Sequence, residues 1–401
     1  MLWNYTLSCK FLIFVLKFKI VQKEMEEFYS LHTIPKPRNL YYIAHMDNLP
    51  SILKWGILSH NMLMKRGVKY TSISDEAIVL KRKDKETPEG KSLWDYANLY
   101  FQPRNAMLYR VFRAEGKDVI IIGLNAKDIF KIPGVWITDG NAASYASQFL
   151  KVYEENIQKI REEVNKPGWY KDEEANAESK RKMMAECLIP DEVPPNFITE
   201  IYTPTEEGRD KVKSICAPLR IPTIYEPRLF FLNYQVISYD FVGSPHKVLH
   251  IIYGDILLSS MQTITIGVNT AGVLIDRFVR RVLFRLDCAE EYLDLCESLI
   301  LKPGKPFLHK PFHKFSTFDN PWVLLFPITN SPQNPLEKET LEEGLKWVVE
   351  NYQQEGINSL AVPALGCGQD GFRWLEDVQP LLLSYLSKLD IPVEIYKPYD
   401  V

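Results

Sequence analysis

Three closely spaced glycines near the end of the chain have the spacing of a phosphate-binding loop. Gly366, Gly368 and Gly371 lie in SLAVPALGCGQDGFRWLEDV, which reads as a strand, a loop and the start of a helix. Without a Cβ atom, glycine lets backbone amides approach a diphosphate at or near a helix N-terminus. Upstream, Asp255 ends the strand-like run in IIYGDILL, where a carboxylate can accept from an adenine amino group or a hydroxyl. A tight turn that binds nothing is an almost even alternative, because short glycine patterns are weak indicators.

The stretch SLWDYANLYFQPRNAMLYRVF (Ser92–Phe112) concentrates aromatic side chains around a Pro-Arg-Asn turn. We predict a hairpin here. Its rings could form a bulky core or a platform for a flat ligand, and the residue types alone do not separate the two.

Four polar residues in the first half are of types that could act on a nucleotide. His45 ends a strand-like run and Asn48 precedes a short helix, and a buried structural histidine and a helix cap are their plain alternatives. Arg82 lies in the basic run KRKDK, which is also typical of a solvated helix face. Glu186 has apolar neighbours, so its carboxylate could face a partly buried site that tunes its basicity. An ordinary surface glutamate is the alternative.

These candidates lie in two halves with different patterns. A chain of 401 residues exceeds what one hydrophobic core usually supports, which predicts two domains. The first half has strand-rich zones, from Leu99 through AMLYRVF to DVIIIGLN and again at AECLIPDEVPPNFITEIYTP, around a charged helical segment, Lys151–Lys182. The second half alternates apolar runs with amphipathic helical segments, which is typical of an α/β layer fold with a largely parallel sheet.

We place the domain boundary at SYDFVGSPHK, which gives domains 36–240 and 247–401 after an N-terminal extension, 1–35. The apolar centre of that extension, Phe11–Val15, is too short for a signal peptide or for the roughly 20 residues of a membrane helix. We therefore expect no membrane partner and a natural translation start near Met25.

Charge and cysteine content narrow the function classes. A net charge of -3 argues against a nucleic-acid clamp that uses the whole surface, whereas a local basic groove remains compatible with it. The six cysteines are scattered and show no metal-ligand spacing. This pattern indicates a reducing, cytoplasmic compartment and no metal site.

The second half resembles the macrodomain family, particularly its DarG type. The resemblance rests on GDI, VNT, LLFPIT, ETLEEGLKWVVE and AVPALGCGQDGFRWLEDVQPLL, over about Lys247–Tyr399. It implies an α/β/α three-layer domain that binds ADP-ribose, and DarG members also remove ADP-ribose from DNA. In GVNTAGVLIDRFVRR, Gly272 stands where macrodomains usually carry a second asparagine, and no lysine motif follows. The resemblance assigns an adenine-reading acid, a ribose-loop asparagine and three phosphate-loop glycines: Asp255, Asn269, Gly366, Gly368 and Gly371.

The first half resembles DarT, a toxin that ADP-ribosylates bases in single-stranded DNA. Four motifs carry the resemblance over about Arg38–Phe231: YYIAHMDNLPSILKWGILS, YANLYFQPRNAMLY, TDGNAAS and KMMAECLIPDEVPP. It implies an ADP-ribosyltransferase-like mixed α+β domain that uses NAD as co-substrate and no metal. The catalytic and NAD-binding residues that it implies are Glu186, Arg82, His45, Asn48, Tyr100 and Met107.

The resemblance also implies a role for each of these side chains. Breaking the nicotinamide glycosidic bond passes through an oxocarbenium-like state. His45 would bond a ribose hydroxyl, and Arg82 would bind the pyrophosphate. Glu186 would accept the proton of the attacking base nitrogen or hold the ribose. Asn48 would bond the nicotinamide amide or cap its helix. Tyr100 and Met107, in Ser92–Phe112, would form an apolar wall beside the nicotinamide.

Together the two resemblances predict a fused toxin–antitoxin pair. The macrodomain would bind ADP-ribose and restrain or reverse the transferase, and the two domains would contact each other. Single-stranded DNA would bind near Lys166, Trp169, Tyr170 and Lys171, which combine cations with rings. The acidic run Asp172–Glu174 makes a solvated helical insertion nearly as good an explanation. Two functional alternatives stay open: a non-catalytic ADP-ribose or nucleotide-binding module, and a transferase that acts on RNA or protein.

Overall fold

The computed structural model describes residues 35–73, 76–165, 173–232, 237–240, 248–311, 321–367 and 371–398. Three sequence predictions therefore lie outside the described residues: nearly all of the N-terminal extension, the DNA-reading segment at 166–171, and Gly368.

The first domain is built on an eight-stranded sheet in the order β10-β9-β4-β1-β3-β7-β5-β6. All neighbours in it are antiparallel except β9 and β10. Its strands are β1 (Leu40–His45), β3 (Tyr96–Tyr100), β4 (Val119–Leu124), β5 (Trp136–Thr138), β6 (Phe149–Leu150), β7 (Glu186–Pro190), β9 (Ile198–Thr203) and β10 (Thr223–Tyr225), and β2 (Ile57–Leu58) pairs separately with β8 (Glu192–Val193).

Helices cover both faces of this sheet, so apolar residues of the central strands are buried on each side. The helices are α1 (Leu49–Trp55), α2 (His60–Arg66), α3 (Glu76–Asp84), α4 (Ala106–Glu115), α5 (Ala126–Ile129), α6 (Glu154–Val164), α7 (Glu173–Met183) and α8 (Glu206–Cys216). The charged segment predicted as helical forms α6 and α7, which Lys182 and Glu163 link by a 3.1 Å salt bridge.

The hairpin predicted for Ser92–Phe112 is wrong, because the strand β3 is followed by the helix α4. The side chain of Asn105 accepts a hydrogen bond from the amide of Leu108 at 3.0 Å and caps that helix. Leu108 and Val111, one helical turn apart, are the buried residues of α4. The aromatic residues of AMLYRVF suggested strand, but the cap and the helical spacing decide the local structure.

The second domain has a seven-stranded sheet in the order β11-β12-β17-β16-β13-β15-β14. Its five inner strands are parallel and its two edge strands antiparallel. One face packs on α9 and α10, and the other on α11 and α12, which confirms the predicted three-layer fold. The elements are β11 (Ile237–Asp240), β12 (Val248–Ile252), β13 (Thr263–Asn269), α9 (Arg277–Arg285), α10 (Ala289–Glu297), β14 (Phe307–His309), β15 (Trp322–Thr329), α11 (Lys338–Glu355), β16 (Leu360–Pro363), α12 (Gln379–Leu386) and β17 (Val393–Tyr396).

The boundary between the sheets lies earlier than the sequence predicts. Ile237–Asp240, which the prediction assigned to the first domain, pair antiparallel with β12 at the edge of the second sheet. A strand's sheet depends on its pairing partner, which the local pattern does not contain.

The two domains contact each other directly. Arg38 of the first domain donates to the backbone oxygens of Leu257 at 2.7 Å and Ser259 at 2.8 Å. Leu258 of the second domain packs into an apolar cluster of the first. The predicted contact between the domains is therefore present. Among the described residues, no helix combines the length and apolarity needed to cross a membrane.

Candidate active site

The register of the first sheet places three of the predicted residues on one face. Tyr41 lies opposite Tyr100, and Tyr100 lies opposite Glu186. Directly opposed residues of antiparallel strands point to the same face, and so do residues two or four apart along one strand. His45, four residues after Tyr41, therefore shares the face of Tyr100 and Glu186, about 14 Å further along β1.

Glu186 and Arg82, the two predicted catalytic residues, contact each other. Arg82 Nη1 lies 3.2 Å from Glu186 Oε1 and 2.9 Å from Oε2. The Glu186 residue is fully buried, and the other terminal nitrogen of Arg82, Nη2, is buried without a hydrogen-bond partner among the described residues. The helix α3 thus brings an arginine onto the carboxylate at the start of β7 and leaves one donor available.

A loop after β5 completes the surroundings of Glu186. The backbone amide of Ala142 donates to Glu186 Oε1 at 2.9 Å. The hydroxyl of Thr138 accepts from the amide of Glu186 at 3.1 Å. Arg181 ties the same loop to α7 through Asp139 at 3.0 Å. The motif TDGNAAS marks this loop in the sequence. The sequence did not predict that the loop binds Glu186, because a backbone donor carries no residue-type signal.

Tyr100 and Met107 form the apolar side of this arrangement. The Tyr100 hydroxyl lies 3.1 Å from Met107 Sδ. Burial, together with the negative charge of Glu186, raises the pKa of Tyr100 well above its ordinary value. The phenol therefore stays protonated beside the carboxylate at any physiological pH.

His45 and Asn48 hold the loops at the end of β1. Nδ1 of the buried His45 accepts from the backbone amide of Asp47 at 3.2 Å, so in the neutral ring Nε2 carries the proton and can donate. The Asn48 side chain makes no cap hydrogen bond, which excludes the helix cap that the sequence left open as an alternative. Instead it bonds the backbone of Thr71 in both directions, each at 2.8 Å.

A cavity of about 160 Å³ opens beside this region. Of the six predicted residues, Asn48 and Arg82 line it, with the rings of Tyr42, Tyr70 and Trp94. Small-molecule sites usually measure roughly 300–1,000 Å³. The cavity therefore has room for part of a dinucleotide, and its lining includes an arginine and aromatic rings.

In the second domain, Asp255 already has protein partners for both carboxylate oxygens. It accepts from Tyr202 of the first domain at 2.9 Å, from the amide of Leu257 at 3.1 Å, and from both terminal nitrogens of Arg281. Burial favours its neutral form, but the charge of Arg281 outweighs burial and lowers the pKa of Asp255 below its ordinary value. The predicted adenine-reading acid is thus an ionised member of the contact between the domains.

Asp255 follows β12, Asn269 ends β13 and Gly366 follows β16. Because these strands are parallel, the three residues lie at the same end of the sheet. Both polar atoms of the Asn269 side chain bond the backbone of Val273, at 2.8 and 3.0 Å. Gly366 has φ +73°, a conformation that favours glycine. Its carbonyl accepts from Phe372 at 2.9 Å, just after Gly371. Among the described residues, no group of three His, Cys, Asp or Glu side chains is placed to hold a metal ion.

Fold and site together define the class of protein. A mixed sheet that buries a glutamate–arginine pair beside an aromatic cavity is joined to an α/β/α domain with a glycine loop at the carboxyl edge of its parallel strands. This is an ADP-ribosyltransferase-like domain fused to a macrodomain.

Comparison with known proteins gives the family. The model of the ssDNA thymidine ADP-ribosyltransferase DarT matches residues 41–231, and the Macro domain model matches residues 288–380. The chain is 40% identical over 382 residues to the DNA ADP-ribosyl transferase-DNA ADP-ribosyl glycohydrolase fusion protein of Thermosipho africanus (strain H17ap60334), covering 91% of this chain and 95% of that protein. The chain therefore belongs to the family of DarT–DarG fusion proteins, and both resemblances read from the sequence are confirmed.

One further relative and one solved structure are similar to part or most of the chain. The DNA ADP-ribosyl transferase of Thermus sp. (strain 2.9) is 29% identical over 208 residues, covering 49% of this chain and 95% of that protein. The solved structure of Thermosipho africanus DarTG in complex with ADP-ribose is 40% identical and covers 91% of this chain and 96% of its own, with a TM-score of 0.45.

Proposed function

We propose that the first domain transfers ADP-ribose from NAD to a base in single-stranded DNA, and that the second domain binds ADP-ribose and restrains or reverses this reaction. Family membership supports the activity. The observation that carries the site assignment is the buried contact of Glu186 with Arg82, on the sheet face that Tyr100 and His45 share.

Glu186 acts as the general base in this proposal. As the bond from the ribose C1′ to nicotinamide breaks, nicotinamide leaves with the electron pair, and a nitrogen of the DNA base bonds to C1′. The proton of that nitrogen passes to the Glu186 carboxylate. The amide of Ala142 and the guanidinium of Arg82 hold the carboxylate in place, which supplies the orientation that such a transfer needs.

The remaining polar groups bind NAD. Arg82 Nη2, buried without a partner among the described residues, is suited to a phosphate oxygen, where a charge-assisted hydrogen bond is strong. His45 Nε2 donates to a ribose hydroxyl. Asn48 positions the loop at Thr71 beside the cavity, and Tyr100 with Met107 supplies an apolar wall for nicotinamide. The reaction as proposed requires no metal and takes place in the cytoplasm.

For the second domain we propose an ADP-ribose site formed by Asp255, Asn269, Gly366, Gly368 and Gly371. Arg281 and Tyr202 now occupy the Asp255 carboxylate. Adenine can reach that carboxylate only when the contact with the first domain opens. Binding of ADP-ribose and docking of the domains would then compete, which gives the second domain a way to restrain or release the first.

The proposed function is tested by nicotinamide release from NAD with single-stranded DNA as acceptor. Glu186→Gln keeps the shape of the side chain but removes its basicity, and the loss of a general base lowers the rate about 10²- to 10⁴-fold. Glu192→Gln, on β8, the next strand along the chain, is the matched control and keeps the wild-type rate. Equal rates for the two variants would contradict the proposal. Nicotinamide release that occurs only with RNA or with protein would identify that molecule, and not DNA, as the acceptor.

A further inference from the structure

The helix α9 presents an arginine-rich stripe to the first domain. One face of it is apolar and buried, through Val282 and Leu283. Five residues at intervals of three and four positions form the opposite stripe and line a cavity of about 350 Å³ between the domains: Arg277, Arg280, Arg281, Phe284 and Arg285. The first domain forms the other wall of this interdomain cleft.

The charge of the cleft is strongly positive. Among the described residues, seven cationic side chains and a single carboxylate line it, although the whole chain carries a net charge of -3. The cations are Arg38, Lys127, Arg220, Arg277, Arg280, Arg281 and Arg285, and the carboxylate is Glu200. Such a concentration of one sign in a concave surface raises the local concentration of anionic ligands.

Some of these cations are paired with carboxylates, whereas others are not. Arg281 pairs with Asp255, and Arg285 pairs with Glu200. Lys127 pairs with Asp287. By contrast the guanidinium groups of Arg277, Arg280 and Arg220 have no hydrogen-bond or ion-pair partner among the described residues, and all three residues are exposed. Two inner nitrogens, Arg281 Nε and Arg285 Nη1, are buried without a partner in the same part of the chain. The cleft therefore holds donors that the protein itself does not satisfy.

An exposed ring accompanies these cations. Phe284, on the same stripe of α9, is 61% exposed, and Leu219, next to Arg220 across the cleft, is 54% exposed. Proteins that bind single-stranded nucleic acids combine cations along the phosphate backbone with aromatic rings on which bases stack. An acidic peptide would match the charge but gives no reason for the exposed ring.

Strand pairing in the first sheet gives the distance between the cleft and Glu186. Glu200, which lines the cleft, lies opposite Gly123, and Gly123 lies opposite Tyr41. The same row of paired residues continues to Tyr100 and Glu186. Four strand spacings of about 4.8 Å separate its ends, which is about 19 Å along the sheet. A DNA oligonucleotide that covers only the target base does not span this distance, whereas a longer oligonucleotide can.

We propose that the interdomain cleft is a second binding surface for single-stranded DNA, which holds the strand beyond the modified base through Arg277, Arg280, Arg220 and Phe284. This inference rests on the proposed function of the first domain. Because both domains form the surface, a bound strand also favours the docked arrangement of the two.

The test compares oligonucleotides of about 4 and about 16 nucleotides, the ends of the range of site sizes known for single-strand-binding folds. Binding to the full chain is measured by fluorescence anisotropy without NAD, over a series of salt concentrations. The variant Arg277→Ala/Arg280→Ala is expected to bind the long oligonucleotide more weakly and to lower the salt slope by about 1.4, since each phosphate contact on a single strand contributes about 0.7. Phe284→Ala is expected to weaken the same binding about 5- to 150-fold.

Lys338→Ala/Lys346→Ala is the matched control, because it removes two cations from α11 on the opposite face of the second sheet. Unchanged affinity and salt slope for Arg277→Ala/Arg280→Ala, or the same loss in the control, would overturn the proposal. A loss that is equal for both oligonucleotide lengths would also overturn it, because the surface would then be part of the primary site. Nicotinamide release is measured separately with the short oligonucleotide, so failure of the transferase activity is distinguishable from failure of the cleft.

Discussion

Glu200 is the residue whose removal tests the contact between the domains most sharply. Its side chain, 1% exposed, accepts from Arg285 Nη2 at 2.8 Å and from Asn39 at 2.7 Å. Arg281 lies 3.5 Å away. Glu200→Ala leaves the partly buried Arg285 without its carboxylate, and breaking a buried pair costs about 3–5 kcal/mol.

The lower end of that range applies here. The Arg285 side chain is 18% exposed and keeps a 3.0 Å contact with Thr199, so water and the hydroxyl offset part of the loss. A destabilisation of about 3 kcal/mol lowers the midpoint of thermal unfolding by roughly 6–12 °C for a domain of this size. Differential scanning calorimetry measures it.

Two further variants test whether the destabilisation comes from the unpaired charge of Arg285. Glu200→Ala/Arg285→Met removes both charges, and its midpoint is expected to recover towards the wild type, since a buried pair replaced by apolar groups is often neutral. Glu207→Gln breaks the exposed pair with Lys117 and is expected to leave the midpoint near the wild-type value. If Glu200→Ala shifts the midpoint no more than this control does, the interdomain ion pairs are not desolvated, and the expected loss of about 3 kcal/mol is refuted.

Three other predictions concern the loop at Thr71, the packing of α11 and the buried carboxylates. Asn48→Ala releases the loop at Thr71 and is expected to raise KM for NAD about five- to tenfold while the unfolding midpoint stays unchanged; an unchanged KM would contradict its role. Gly344→Ala directs a methyl group into the ring of Phe326, and overpacking of about 1–3 kcal/mol exceeds the helix-propensity gain of about 1 kcal/mol, so the free energy of unfolding measured in urea is expected to fall. Nearby arginines lower the pKa of Glu200 and of Asp255 despite their burial, so their stabilising contribution is present above the ordinary carboxyl pKa near 4 and is lost as pH falls below about 4. Unfolding midpoints between pH 7 and pH 3 measure this loss, and Glu200→Gln is expected to weaken the pH dependence; an identical profile in the variant would refute the assignment.

The sequence predicts the architecture well where the signal is local. Alternating apolar runs and helices indicated the parallel sheet of the second domain, and the short helix expected after Asn48 is α1. The strand predicted through AMLYRVF failed because β-favouring aromatic residues there sit on a helix that Asn105 caps. The boundary failed at Ile237–Asp240 because the pairing of an edge strand is a tertiary property.

The candidate site shows a similar division. Residue types and family motifs singled out Glu186 and Arg82, and the structure places them in contact. The amide of Ala142, which holds Glu186 Oε1, has no signature in the sequence. Nor could the sequence show that Asp255 lies under Tyr202 of the other domain, because a contact between residues 53 positions apart in different domains depends on how the two sheets dock.

The central claim is that Glu186 and Arg82 form the catalytic pair of a DNA ADP-ribosyltransferase. Intact-mass spectrometry of a single-stranded oligonucleotide incubated with NAD and the full chain tests it most directly. We predict one added ADP-ribose with the wild type and with Glu192→Gln. When the wild-type reaction is complete, only a trace is expected with Glu186→Gln or Arg82→Ala. An unmodified oligonucleotide with the wild-type protein, or equal modification by Glu186→Gln, would contradict the account.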